Sequence, residues 1–176
     1  EGQDQEFAGK QFEEAKKVLS RLKKRHDNLS KIYKTTFENE KCENVDMGEL
    51  FDEIKSGNQH HDSFQIEVKI NLKERKVPIR RETFVDAIQN VIGNANQHAF
   101  QESSNKNKVV FEIEENKKNV IINCLNNGAP LPRDCDANWF STPGQRGVKS
   151  KGEGYGGSII ENSIVKAHGG TIKFIN

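Results

Sequence analysis

The chain has no apolar run approaching the ~20 residues that a bilayer-crossing helix needs, so none of its 176 residues read as a membrane span. No secretory signal is visible. Internal repeats and low-complexity tracts are absent, which sets aside solenoid and fibrous architectures. Cysteine is scarce. Cys42, Cys124 and Cys135 are odd in number and lack metal-ligand spacing, which excludes a disulfide framework. Free thiols of this kind suit a reducing compartment, so the expected location is cytoplasmic, including the cytoplasmic part of a membrane-anchored protein. An excess of one charge is also missing. Lys and Arg number 27 against 26 Asp and Glu, for a net charge of +1, and this gives no reason to expect a nucleic-acid partner. Apolar residues make up only 33% of the chain, which fits a long solvated helix beside a modest α/β core.

The first forty residues form one unit. Ala8, Phe12, Ala15, Leu19, Leu22, His26, Leu29, Tyr33 and Thr36 step by four and three, a heptad-like seam over about four repeats. A long helix over 5–40 is expected, with a linker through Lys41 to Asn44, and its seam calls for a partner helix in a homodimer. The faces away from the seam are dense in Lys, Arg and Glu, as solvated faces should be. His26 lies on the seam beside Asp27, where a packed, register-setting histidine is the simpler reading. His60-His61-Asp62 is a weak metal candidate in a polar loop.

Residues 45–176 read as an α/β two-layer sandwich with mixed strand directions. A short helix is expected at 46–56. Alternation from Phe64 to Leu72 predicts a strand with one face buried. Further strands are expected at 108–114, 118–125 and 171–175, with a helix at 157–167.

Three segments carry chemistry. In Thr83 to His98, the apolar stripe Phe84, Ile88, Val91, Ile92 and Ala95 marks a core-facing helix. Asn90, Asn94, Gln97 and His98 fall three or four apart on a second face. Asparagine is a poor helix former, so two of them four apart call for a reason. Amide oxygens suit a hard cation such as magnesium, and amide nitrogens can donate to phosphate oxygens. Next, the β-branched run Asn119 to Leu125 ends in Asn126-Asn127-Gly128-Ala129-Pro130, a forced turn with a side-chain oxygen at the strand's end. Last, Gly152-Glu153-Gly154-Tyr155-Gly156-Gly157 runs into an apolar helix that stops at His168-Gly169-Gly170. Glycines two apart let backbone approach a bulky anion, and the following helix points amides and dipole at the same place.

In this order and spacing, the segments resemble the ATP-binding domain of the GHKL superfamily, most closely that of the sensor histidine kinases. Asn90 to Ala95 with His98 resembles its asparagine box, Asn126-Asn127-Gly128 its first glycine box, Trp139-Phe140 its phenylalanine box, and Gly152 to Gly156 its last glycine box. The resemblance implies a Bergerat-type fold binding ATP and Mg2+. Asn94 with Asn90 would hold the metal and phosphates, and Gln97 and His98 would flank the phosphates. Asn126 would face the adenine amine, with Gly128 close to the base. Trp139 to Lys151 would be a mobile lid carrying Phe140, Lys149 and Lys151, and Gly152, Gly154, Tyr155 and Gly156 would wrap the phosphates.

The resemblance further implies transfer of the γ-phosphate to a histidine on a dimerisation helix, with a response regulator or other phosphorelay protein downstream. The N-terminal helix resembles the second helix of the dimerisation hairpin. His26 lies only sixty-four residues before Asn90 and lacks the usual sequence after it, so the acceptor is expected outside this chain. Asn126 stands where Asp is usual, Pro130 where a second glycine is common, Gln97 where Lys is frequent and Gly157 where Leu is frequent. The family's final strand is also expected beyond Asn176. ATP-hydrolysing relatives place a Glu four residues before the magnesium Asn, and here that position is Asn90, which cannot serve as a general base. The alternatives are a GHKL-type ATPase driving conformational change and a degenerate nucleotide-binding or interaction module.

Overall fold

The computed structural model describes residues 12–24, 26–27, 40–58, 63–100, 102–131, 140–142 and 154–174. The chain divides into two compact units, Glu1–Thr35 and Thr36–Asn176. In the first, residues 12–24 and 26–27 are helical (α1). The apolar stripe of α1 faces water, with Phe12, Leu19 and Leu22 all exposed. Lys16 caps the Phe12 ring at 4.6 Å and pairs with Glu13 at 3.0 Å. The remainder of the expected 5–40 helix lies outside the described residues.

The second unit opens with strand β1 (Glu43–Asp46) and helix α2 (Met47–Gly57). Asp46 starts α2 by accepting the amides of Gly48 and Glu49 on one carboxylate oxygen, at 2.8 and 3.2 Å. Such a cap satisfies two otherwise orphaned donors. Strands β2 (Gln65–Asn71) and β3 (Lys76–Ile79) follow, then helix α3 (Arg81–Asn94) with a wider π turn at Ala95–Ala99. Strands β4 (Lys108–Glu115) and β5 (Val120–Asn126) come next. After them, helix α4 (Gly156–Glu161) continues into a π turn at Asn162–Lys166.

One sheet has the order β2-β4-β5, with β2 parallel and β5 antiparallel to β4. The mixed directions match the expected sandwich. A separate antiparallel ribbon pairs β1 with β3, Val45 opposite Val77. That ribbon was not expected, since Pro78 and the short polar β1 give no strand periodicity. No ladder forms at 171–174, although a strand was expected at 171–175; with no described strand beside it, β-propensity alone does not make a strand there.

The core lies between the sheet and the helices. Val109, Phe111 and Ile113 of β4 are buried, together with Met47, Leu50, Phe51 and Ile54 of α2 and Phe84, Ile88 and Ile92 of α3. The Phe51 ring meets Phe111 at 5.2 Å and Phe84 at 6.4 Å. On the solvent face, Lys69 pairs with Glu112 at 2.9 Å and Lys108 with Glu67. The Lys108 ammonium holds the Glu67 carboxyl below the usual carboxylate range, and Glu112 raises Lys69. Both pairs are exposed and contribute little to stability. No helix among the described residues is long and apolar enough to cross a membrane.

The start of α3 is fixed from two sides. Glu40 accepts the Glu82 amide at 2.6 Å on one oxygen, and the Thr83 amide and hydroxyl at 3.2 and 2.5 Å on the other. This supplies the cap that Arg80, in the N-cap position, does not provide. His168 accepts the Arg80 amide on Nε2 at 2.9 Å, and its Nδ1 meets the Ser163 carbonyl at 2.6 Å. These partners require Nδ1–H to donate and a neutral ring. Arg80 in turn donates to the Ala167 carbonyl at 3.0 Å. His168→Phe keeps a ring beside Phe84 but removes the bonds to the Arg80 amide and the Ser163 carbonyl. It should destabilise the fold by about 2–4 kcal/mol in urea unfolding, whereas a change within error would show that these bonds contribute nothing.

Candidate functional site

Helix α3 buries Phe84, Ala87, Ile88 and Ile92, and this rotation leaves Asn90 and Asn94 together on a neighbouring face. Asn90 Nδ2 donates to the Asp86 carbonyl one turn back at 2.8 Å. That bond accounts for an asparagine inside a helix and leaves its Oδ1 directed away from the backbone. Gly156, the first residue of α4, lies against both amides. A β-carbon there would stand 3.2 Å from Asn94 Oδ1, 3.4 Å from Asn90 Oδ1 and 3.5 Å from Asn94 Nδ2. Segments sixty-odd residues apart in sequence thus converge on one spot, where backbone without a side chain faces two amide oxygens.

Gly154, two residues earlier, has φ of +76°, a conformation that favours glycine and turns the chain into α4. Tyr155 between them is buried at the helix start. Gly152, Lys149 and Lys151, together with Trp139 and most of the expected lid, lie outside the described residues, as do His60-His61-Asp62 and Cys135. Cys42 and Cys124 are free thiols.

The loop after β5 docks on the far end of the same helix. The Ala129 amide donates to the Ala99 carbonyl at 2.8 Å, and a β-carbon at Gly128 would stand 2.3 Å from that carbonyl oxygen. Asn126 is exposed at the end of β5, and its Oδ1 accepts the Gly128 amide at 3.0 Å. A carbonyl oxygen has two lone pairs, so room for a second donor remains. Asn127, which the sequence reading took only as a turn residue, staples the loop to the start of β4. Its Oδ1 accepts the Lys108 amide at 2.7 Å, and its Nδ2 donates to the Lys106 carbonyl at 2.8 Å. An Asn-Gly pair signals the turn in sequence, but the second pair of bonds requires the strand partner.

Gln97 and His98 sit exposed on the π turn. The repeat changes from 3.6 residues per turn at Ala95, so helical spacing no longer aligns them with Asn90 and Asn94. No described contact brings either against the asparagine pair. Phe140 is packed on α4, its ring 4.7 Å from that of Phe174.

The donor set fits what the sequence implied: amide oxygens for a hard cation, amide nitrogens and open backbone for phosphate oxygens. No group of three or more His, Cys, Asp or Glu suited to a metal occurs among the described residues.

Residues 80–176, more than half of the chain, match the family model described as "Histidine kinase-, DNA gyrase B-, and HSP90-like ATPase", and the chain belongs to that family. Membership implies ATP binding. The fold is shared with solved histidine kinases. The Acinetobacter baumannii kinase AdeS is 17% identical, with 94% of this chain and 77% of that one covered and a TM-score of 0.68. The mycobacterial sensor kinase MprB is 18% identical, with 72% and 80% covered and a TM-score of 0.57. The catalytic domain of the histidine kinase ThkA is 20% identical, with 73% and 83% covered and a TM-score of 0.55. No curated protein matches the chain.

Gly128→Ala should drive its β-carbon into the Ala99 carbonyl, which is backbone and cannot swing aside. The expected result is a loss of about 1–3 kcal/mol and faster hydrogen exchange at the Ala129 amide. Unchanged protection at Ala129 would show that the loop is not held on α3.

Proposed function

We propose that this chain is the ATP- and magnesium-binding catalytic part of a protein-histidine kinase in two-component signalling. The observation that carries the reading is the convergence of Asn90, Asn94 and Gly156, with amide oxygens and bare backbone meeting at one point. Asn94, with Asn90, is the proposed magnesium ligand. Held there, magnesium would supply the positive charge that offsets charge developing on the phosphates. Gly154, Tyr155 and Gly156 are the proposed phosphate-wrapping backbone, with Gly152, Lys149, Lys151, Gln97 and His98 as further phosphate-side candidates. Asn126 and Gly128 are assigned to the adenine, with Phe140 near the nucleotide.

The identity of Asn90 favours transfer over hydrolysis. An amide cannot take a proton from water at neutral pH, so the site lacks a general base at that position. Holding the nucleotide in line for a histidine nucleophile needs positioning rather than proton abstraction. The acceptor is assigned to a helix outside this chain. His26 is the weaker candidate; its side chain is 80% exposed and its Nδ1 lies 3.6 Å from Asp27 Oδ1. The exposed stripe Phe12, Leu19 and Leu22 supports a dimer through α1, because an apolar stripe of this kind gains by packing on another helix. A response regulator or another phosphorelay protein would receive the phosphoryl group.

Calorimetry with a non-hydrolysable ATP analogue tests this. The unaltered chain should bind it in a magnesium-dependent manner, and Asn94→Ala should lose about 2–4 kcal/mol of binding, roughly thirtyfold to several hundredfold. Equal binding by Asn94→Ala, or no binding by the unaltered chain, would overturn the assignment. Steady ATP turnover without phosphohistidine would favour an ATPase instead.

A further inference from the structure

We propose that Gly157 and Ser158 are positioning residues that seat the Phe140–Ser141 turn on α4 and thereby set the backbone facing Asn90 and Asn94. The binding half of this inference rests on the nucleotide reading above. A β-carbon at Gly157 would stand 1.8 Å from the Phe140 carbonyl oxygen, 2.8 Å from its carbonyl carbon and 3.1 Å from its ring Cδ1. No side chain fits there unless the Phe140 backbone leaves. Ser158 is only 3% exposed, and its hydroxyl donates to the Ser141 carbonyl at 2.5 Å. The Phe140 ring is held against Phe174, centroids 4.7 Å apart.

Three contacts therefore fasten one short turn, and two of them come from consecutive residues of α4. The residue immediately before them is Gly156, which lies on the asparagine amides. A helical backbone transmits a displacement from one residue to the next, because packed interiors do not absorb it locally. The turn at Phe140 and the backbone at Gly156 consequently form one seat. Leu is frequent in the resembling kinases at the position of Gly157. In this chain the space for such a side chain is filled by the Phe140 main chain, so glycine here is a requirement of this chain's own packing.

Trp139, the sole tryptophan of the chain, adjoins Phe140 in sequence and reports on the turn. Acrylamide quenching of its fluorescence and calorimetric binding of magnesium with a non-hydrolysable ATP analogue should be measured on the full chain. The variants are Gly157→Leu, Ser158→Ala and Asn94→Ala. Gly157→Leu should raise quenching and weaken analogue binding roughly tenfold or more, the scale expected of overpacking. Ser158→Ala removes one hydroxyl without adding bulk, so it keeps the test valid if Gly157→Leu fails to fold; it should shift both readouts the same way by less. Asn94→Ala should lose binding with quenching unchanged. Quenching that rises in Gly157→Leu and Ser158→Ala while affinity stays constant would overturn the proposal, as would unchanged quenching in both. Altered quenching with no analogue binding by the unaltered chain would support the seat and overturn the nucleotide reading.

Discussion

Close approach of bare backbone to helix α3 is the constraint on which the site depends. Gly156 lies on the flank of the helix against Asn90 and Asn94, and Gly128 lies on its end against Ala99. At Gly128 the backbone is closer than a β-carbon permits, and at Gly156 a β-carbon would press tightly on the two amides. Without them, the strand-end loop and the glycine turn would have no common reference. With them, the turn carrying Asn126 and the turn carrying Gly154 and Gly156 are both indexed to one rigid element.

Helix α3 can serve as that reference because it is held along its whole length. Phe84, Ile88 and Ile92 anchor it in the core against Phe51 and the sheet. Glu40 caps its first turn from the segment preceding β1, and His168 clamps the residue before it from the end of α4. The two asparagines lie off that core-facing stripe, on a face where polar chemistry carries no core desolvation cost. The π turn at its end releases the strict helical repeat where the chain leaves for β4. Family membership implies ATP binding, and solved histidine kinases share the fold.

Much of this was legible in the sequence, for identifiable reasons. Local periodicity reported α2, β2, α3, β4, β5 and α4, because each buries a regular stripe or alternates in and out. The asparagine pair stood out because the residue type opposes the helix that carries it. What escaped was tertiary. The β1–β3 ribbon is too short and too polar to show a period. The helical alignment of Gln97 and His98 with Asn94 assumed that the 3.6-residue repeat would continue, and the π turn ends it. The roles of Asn127, His168 and Glu40 depend on partners nineteen to eighty-eight residues away. Gly157 read as a departure from a family pattern, and only its contact with Phe140 shows why glycine stands there.

The central claim is that Asn90, Asn94 and Gly156 face one bound metal–phosphate group. Paramagnetic broadening tests it most directly. Manganese, substituted for magnesium and added with a non-hydrolysable ATP analogue, should broaden the side-chain amide signals of Asn90 and Asn94 and the backbone amide of Gly156. Signals from the outer sheet face at Lys69 and Glu112 should stay sharp. Broadening centred elsewhere, or confined to carboxylate-rich surface when nucleotide is present, would contradict the account.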